Sequence, residues 1–366
     1  MDFQLTDDQR ALRDGTRELL AGRFGRERLR AAVGEPALDR ALWRELGAAG
    51  FFALRLPEEA GGVGLGLPEA VLVFEEAGRA LLPGPLVACQ LLAGAVDGVA
   101  AGEKIVGLCE AEREPVLWEH PAECDELILV EGGAGHGGTG GGPGGGVDGG
   151  AGGGPGGGPG GEAGSEVRGD AGGEARGEPR GVQGRTGGAY RSAPDRVVCA
   201  SFASIDPLTP LARVMALPRT APLALDVPRL RREAALLTAA QQLGSAARTV
   251  EMAVGHARER EQFGVPIGSF QAVKHLCAQM LVRAEIARSA VYAASVTDRV
   301  LDVTAAKLLA DEAAVGNARD CLQVHGGMGF TWEADVHLHL KRAWLRAERW
   351  EVAREAEELL AAGLIA

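Results

Sequence analysis

Three observations predict a mainly α protein with a small, interrupted β region in mid-chain. Long stretches on both sides of the centre carry apolar residues at the i, i+4, i+7 spacing of one helix face. The centre carries short β-rich runs divided by turn residues. Between those runs, from Gly132 to about Gly188, glycine dominates and large apolar residues are almost missing. The expected organisation is an N-terminal helical domain over 1–102, a reduced β-domain over 103–222 and a C-terminal four-helix bundle over 223–366.

The first domain opens on Thr6-Asp7-Asp8-Gln9, a capping box with Thr6 as N-cap and Gln9 reaching back from N3. Leu12, Leu19 and Leu20 start the apolar stripe behind it. A loop through Pro57-Glu58-Glu59-Ala60-Gly61-Gly62 leads to a further helix over Glu69–Leu82, closed by Pro83-Gly84-Pro85. The run Gly62-Val63-Gly64-Leu65-Gly66 does not have the spacing of a dinucleotide loop, and no acidic partner is suitably placed. It reads as a glycine loop between helices.

In the middle, Lys104–Cys109, Glu126–Val130, Arg196–Phe202 and Ala212–Leu217 read as strands. The glycine segment at about 132–188 cannot bury enough apolar area to offset its ordering entropy, so disorder is expected there. It has no G-X-Y period, which argues against a collagen helix. A tolerated loop insertion is the preferred reading and a partner-binding tail the alternative.

The last domain begins with a helical hairpin. Leu236, Ala240, Leu243, Ala247, Val250 and Val254 form the inner stripe going in; Val273, Leu276, Met280, Ala284, Ala287 and Val291 repeat it coming out. Gly264, Pro266 and Gly268 mark the elbow. Arg260 falls at the last turn of the incoming helix beside freed backbone amides, and a fixed guanidinium there suits a phosphate-bearing ligand. A third helix runs from Thr304 through Cys321, Gly326–Phe330 breaks it, and a final charged helix is expected over Val336–Leu360.

Composition narrows the function classes. Across 366 residues, 50 acidic side chains outnumber 38 basic ones, so a nucleic-acid partner is not expected. Six cysteines without CxxC pairs indicate neither a zinc site nor a disulfide framework and fit a reducing compartment. His337 and His339 are two apart, a poor spacing for a shared metal on a helix. Met1-Asp2-Phe3-Gln4 has no features of a secretion signal, and no apolar run reaches membrane-span length. A cytoplasmic protein is expected.

Two motifs carry a family resemblance. Arg260-Glu-Gln-Phe-Gly-x-Pro-Ile-x-x-Phe-Gln271 and, more than fifty residues later, Gln323-Val-His-Gly-Gly-Met-Gly-Phe330 closely resemble the C-terminal domain of acyl-CoA dehydrogenases. Pro57-Glu-Glu-x-Gly-Gly62 and Glu75-Glu-x-Gly-Arg79 resemble their N-terminal helical domain. The resemblance implies α,β-dehydrogenation of an acyl-CoA thioester with FAD as cofactor. It also implies an electron-transfer flavoprotein as acceptor and an oligomer built as a dimer of dimers, from like or unlike chains. Carried over residue by residue, Arg260 meets the FAD pyrophosphate across a dimer with Gln262 and Phe263 beside it. Gln323 and the backbone of Gly326 and Gly327 meet the adenosine half.

The catalytic base is not fixed by the resemblance. Many relatives have a Glu-Gly-Thr tripeptide beyond the glycine motif; here the neighbourhood reads Arg346-Ala-Glu-Arg-Trp350-Glu-Val, with Glu351 a candidate. A second family location lies on the helix leading to Arg260, where counting back lands beside Glu233. The middle-domain segment that lines the flavin ring in relatives is short here, and His256 stands where relatives often have tyrosine. Three readings stay open: a self-sufficient dehydrogenase, a non-catalytic partner subunit of a heteromeric one, and a helical CoA-binding protein without redox chemistry.

Overall fold

The computed structural model describes residues 5–132, 188–216 and 218–365. The expectation of disorder in the glycine-rich insertion lies outside these residues. Five helices come first: α1 (Asp7–Arg23), α2 (Arg26–Gly34), α3 (Arg40–Ala48), α4 (Leu67–Arg79) and α5 (Leu86–Leu92). The capping box forms as its sequence specifies: Gln9 N–H donates to Thr6 Oγ1 at 3.2 Å, and Thr6 N–H donates to Gln9 Oε1 at 3.1 Å. At the glycine loop, Gly66 caps α4 and Glu69 reaches back to its N–H at 3.0 Å.

The middle of the chain supplies β1 (Val106–Glu110), β2 (Leu117–Glu119), β3 (Glu126–Glu131), β4 (Gly188–Ser192), β5 (Val198–Phe202), β6 (Leu211–Ala216) and β7 (Ala221–Leu223). They form two small sheets, in the orders β1-β3-β4-β7 and β2-β6-β5. The first pairs β1 and β3 in parallel and is otherwise antiparallel. Three of these strands escape the sequence reading. β2 and β7 have three residues each, too few to show a period, and β4 emerges from the glycine-rich segment. Pro222 fits β7 because β7 is an edge strand.

The remaining helices are α6 (Val227–Glu259), α7 (Gln271–Thr297), α8 (Val300–His325), α9 (Val336–Ala347) and α10 (Ala353–Ile365). α6 has 33 residues, about 50 Å at 1.5 Å per residue. It is the structural axis, packed against α4, α7, α8 and α9. Where α4 crosses it, the backbones nearly touch: a Cβ on Gly78 would lie 2.0 Å from Gln241 O, and one on Gly244 would lie 1.8 Å from Glu75 O. Only glycine permits that approach.

The final helix differs from expectation. It is two helices, broken over Glu348–Val352, where Trp350 takes a left-handed φ of 67°. The break is held from inside the bundle. The Lys307 ammonium donates to the carbonyls of Arg346 and Glu351, each at 3.3 Å, while paired with Asp311. Among the described residues no helix is long and apolar enough to cross a membrane.

Candidate functional site

The elbow after α6 is tighter than the glycines imply. α6 stops at Glu259, Arg260 is its C-cap, and a two-residue hairpin follows: β8 (Glu261–Gln262) against β9 (Val265–Pro266). Its turn residues, Phe263 and Gly264, have φ of 56° and 79°. Positive φ at both positions is what a primed hairpin turn requires, and it costs Phe263 the steric penalty glycine escapes. Phe263 is held outward, 94% exposed, with its ring edge-on to Phe270 at 6.2 Å. Ile267 N–H donates to Arg260 O at 2.8 Å and closes the elbow back on α6. The Arg260 side chain is exposed and, among the described residues, pairs with neither Glu259 nor Glu261. Gln262 turns its amide to its neighbour, donating to Glu261 O at 2.8 Å.

The second motif comes to the same place. α8 ends at His325 and runs directly into a 3₁₀ segment, Gly326–Phe330, and His325 stacks on His256 with ring centroids 4.1 Å apart and 18° between planes. His256 is one turn from Arg260, so the C-terminal ends of α6 and α8 are joined there. Burial, then the nearby His325 and Arg260, lower the His256 pKa. Gln323 is exposed beside it. Gly326 has φ 60°, and a Cβ on Gly326 or Gly327 would meet nothing within 4 Å, so this backbone faces open space. Met328, Phe330 and Trp332 are exposed next to it, an apolar surface that an isolated chain leaves wet.

A cavity of about 50 Å³ lies inside, where the start of α5, the middle of α6 and the end of α9 meet. Arg342, Arg346 and Arg349 line it, an i, i+4, i+7 stripe on α9 and its exit, together with Glu119, Thr209, Thr238, Gln241 and Trp350. Arg342 donates to the carboxylate of fully buried Asp206 and to Leu82 O at 3.2 Å. Arg349 pairs with Glu119 at 3.0 Å. Arg346 has no carboxylate partner among the described residues, and burial pushes its pKa down, with the Arg342 charge adding to the effect.

The two glutamates singled out from sequence have opposite environments. Glu233 is buried and accepts from Arg55 through both oxygens, at 2.8 and 2.7 Å, and from Arg229 at 2.8 Å. Burial works against its charge, but the hydrogen bonds and charges of the two arginines outweigh it and hold the carboxyl below its ordinary range. Glu351 sits in the break between α9 and α10, accepting from Thr304 Oγ1 at 2.9 Å. Burial raises its pKa against the Thr304 hydrogen bond and the Lys307 charge. Neither carboxylate lines the cavity, although Trp350, the neighbour of Glu351, does. His337 and His339 are both buried and separate, His337 edge-on to Trp332 and His339 bonded to Ser245 Oγ at 2.8 Å.

Sequence reasoning missed the buried arginines and the Lys307–Asp311 pair. The arginine spacing was a readable signal, but on a charged helix it has the form of a solvated face. Lys307 was the better clue: it interrupts the apolar run Ala305-Ala306-Lys307-Leu308-Leu309-Ala310 and is fully buried.

Long helices around two split sheets, with two motif ends brought together at α6 and α8, define the architecture of one oxidoreductase family. The N-terminal domain model of the acyl-CoA dehydrogenases matches residues 6–100 and their C-terminal domain model matches residues 230–354. Over 354 residues the chain is 32% identical to acyl-CoA dehydrogenase IpdE2 of Mycobacterium tuberculosis, covering 95% of each. To IpdE2 of Mycolicibacterium smegmatis it is 30% identical over 344 residues, covering 93% of each. The chain belongs to the acyl-CoA dehydrogenase family. Its fold matches a chain of the ChsE4–ChsE5 complex of Mycobacterium tuberculosis with a TM-score of 0.72 at 20% identity, over 100% of this chain and 99% of that one.

Proposed function

We propose that this chain is a subunit of an FAD-dependent acyl-CoA dehydrogenase. It offers the joined ends of α6 and α8 to FAD, while the pocket and base for the reaction are supplied by a partner chain. The observation that carries this reading is the contrast between the two surfaces. Outside, Arg260, Gln323 and the open Gly326–Gly327 backbone lie on one exposed face fastened by the His256–His325 stack. A phosphate group and an adenine fit such a face, which offers a free guanidinium, an amide and unobstructed peptide groups. Inside, the cavity lined by the three arginines, about 50 Å³, does not fit a tricyclic ring and a thioester, since ligand pockets of that kind run to hundreds of Å³. Two larger, more open clefts of about 350 and 610 Å³ are lined by neither Glu233 nor Glu351.

Arg260 would then hold the pyrophosphate, with Gln262 and Phe263 beside it, and Gln323 with the two glycines would hold the adenosine half. When bound, FAD supplies the hydride acceptor for oxidation of an acyl-CoA thioester to the enoyl-CoA, and an electron-transfer flavoprotein would take up the electrons. Glu233, locked by two arginines, serves the fold. The apolar side chains left exposed on α7, Leu281, Val282 and Ile286, suit burial in a dimer of dimers.

A second reading makes the chain self-sufficient with Glu351 as base. It is favoured by the raised proton affinity of Glu351 and its position next to a cavity-lining residue. The deciding experiment is expression of the chain alone and with candidate partner chains, followed by gel filtration and absorption spectroscopy. Flavin that copurifies only with a second chain, and turnover unaffected by Glu351→Gln, support the first reading. Flavin on the chain alone, bleached by an acyl-CoA, with turnover lost in Glu351→Gln, supports the second.

A further inference from the structure

We infer that the cavity between α5, α6 and α9 is a binding site for one small monovalent anion, chloride or a carboxylate group, held by Arg342 and Arg346. The inference does not depend on where FAD binds. It begins with donors that have no acceptor. Arg342 Nη2 and Arg346 Nη1 are shielded from solvent and make no hydrogen bond among the described residues, and both side chains line the cavity. The two residues are 3% and 8% exposed. An orphaned donor on a buried guanidinium is costly, more so than on a neutral group.

The charge count points the same way. Three guanidinium groups meet at the cavity, and the carboxylates within reach are Asp206, taken by Arg342, and Glu119, taken by Arg349. Glu110, also buried nearby, is engaged by Arg113 at 3.5 Å and Arg231 at 3.4 Å. Arg346 is left with one positive charge too many. A guanidinium does not relieve that by losing its proton, so the remaining relief is a counter-ion. Water fills the hydrogen bonds but leaves the charge in place. The space suits the ion: about 50 Å³ exceeds the volume one water needs and admits a chloride or a carboxylate head. Thr238 and Gln241 on α6 add polar side chains to the wall.

The test is thermal unfolding of the full chain, with its partner subunit wherever one copurifies. Sodium chloride or sodium acetate is titrated at constant ionic strength against the sodium salt of a bulky sulfonate. Wild-type protein is expected to gain roughly 4 °C in Tm at a hundredfold excess over Kd and to approach mass-action behaviour. Arg346→Met, which keeps the stem and removes the charge, is expected to lose that dependence and to match or exceed wild type in the sulfonate alone. Two results overturn the inference: a flat wild-type response with a destabilised Arg346→Met, and parallel rises in both proteins, which mark a general salt effect. Chloride-35 line broadening on the wild type, displaced by acetate, gives the same decision without a variant. Absence of broadening counts against the site.

Discussion

His256 and His325 lie ring on ring, 4.1 Å between centroids, and in doing so tie the Arg260 end of α6 to the Gln323 end of α8. His325 belongs to the second motif and His256 lies one turn before the first, and each motif alone is a helix terminus with polar side chains in solvent. The stack turns them into one face. It also constrains protonation, because a second positive charge at that separation is unfavourable, and Arg260 one turn on adds to the effect.

Arg260 is expected to act through charge on that face. Its guanidinium has no partner among the described residues, so Arg260→Gln removes nothing that the fold uses. Tm should stay within about 1 °C of wild type. The affinity of the purified assembly for FAD should fall by roughly ten- to a hundredfold, the range for one charge-assisted hydrogen bond. Flavin release on dilution, followed by fluorescence, measures this directly. Unchanged flavin retention would remove Arg260 from the site.

For Glu233 the outcome should be reversed. Arg55 lies in the N-terminal helical region, 178 residues away, and it meets both Glu233 oxygens. Glu233→Gln leaves a half-buried guanidinium without its partner and should cost roughly 3 kcal/mol, discounted for Arg229, which is half exposed. The carboxyl is held below its unfolded value, so this contribution is present above the ordinary glutamate range and is lost as pH falls through the folded value. Denaturant melts at neutral pH would show the loss. Turnover per folded assembly should be unaltered, and a collapse of turnover without loss of stability would restore Glu233 as a catalytic candidate.

These two residues also show what could be read without coordinates. The α6–α7 hairpin, its inner stripe from Leu236 to Val291 and the break at Gly326 follow from local periodicity and turn chemistry, and all are formed. The environment of Glu233 was not legible, because its partner Arg55 is remote in sequence and nothing in a helical period reports such a pairing. The cavity was hidden for a related reason. Arg342, Arg346 and Arg349 have the spacing of a helix face, but only tertiary packing decides whether that face meets water. The break at Trp350 was missed because Lys307, which holds it, comes from another helix.

Lys307 should therefore be a stability residue of unusual weight. Its ammonium is fully buried, paired with Asp311 and bonded to two carbonyls of the α9–α10 break. Lys307→Met leaves Asp311 to Gln242 alone, at 2.9 Å, with burial already raising the Asp311 pKa. A loss of roughly 3 to 5 kcal/mol is expected, the range for removing one partner of a buried pair. Hydrogen exchange should localise the early opening to residues 346–352. The double variant Lys307→Met with Asp311→Leu should recover much of the loss, because it leaves no buried charge unpaired. If the double variant is no better than the single, the pair is not the source of the effect.

Two buried histidines set an acid limit on the fold. His339 bonds Ser245 Oγ through Nδ1 and is pushed down to about 3 by burial, with Arg248, Arg342 and Arg346 adding to the effect. His120 accepts from Gly84 N–H at 3.2 Å, an arrangement that requires a neutral ring, and burial pushes it down to about 4. Both folded values lie below the unfolded one, so in this window the unfolded chain binds more protons and stability rises with pH. Their contribution is complete above the unfolded histidine value and is lost progressively as pH falls below it. At pH 5 each ring should cost about 2 kcal/mol relative to neutral pH. Chemical denaturation at a series of pH values between 7 and 5 should therefore show a falling midpoint with little change in slope. His339→Gln retains a hydrogen-bonding side chain and removes the titration, so it should flatten part of that fall, leaving the share of His120 and of His337, which burial also lowers, while lowering the neutral-pH midpoint through imperfect packing. A variant whose acid sensitivity matches wild type would mean that His339 is protonated in the fold and that its burial is compensated by another group.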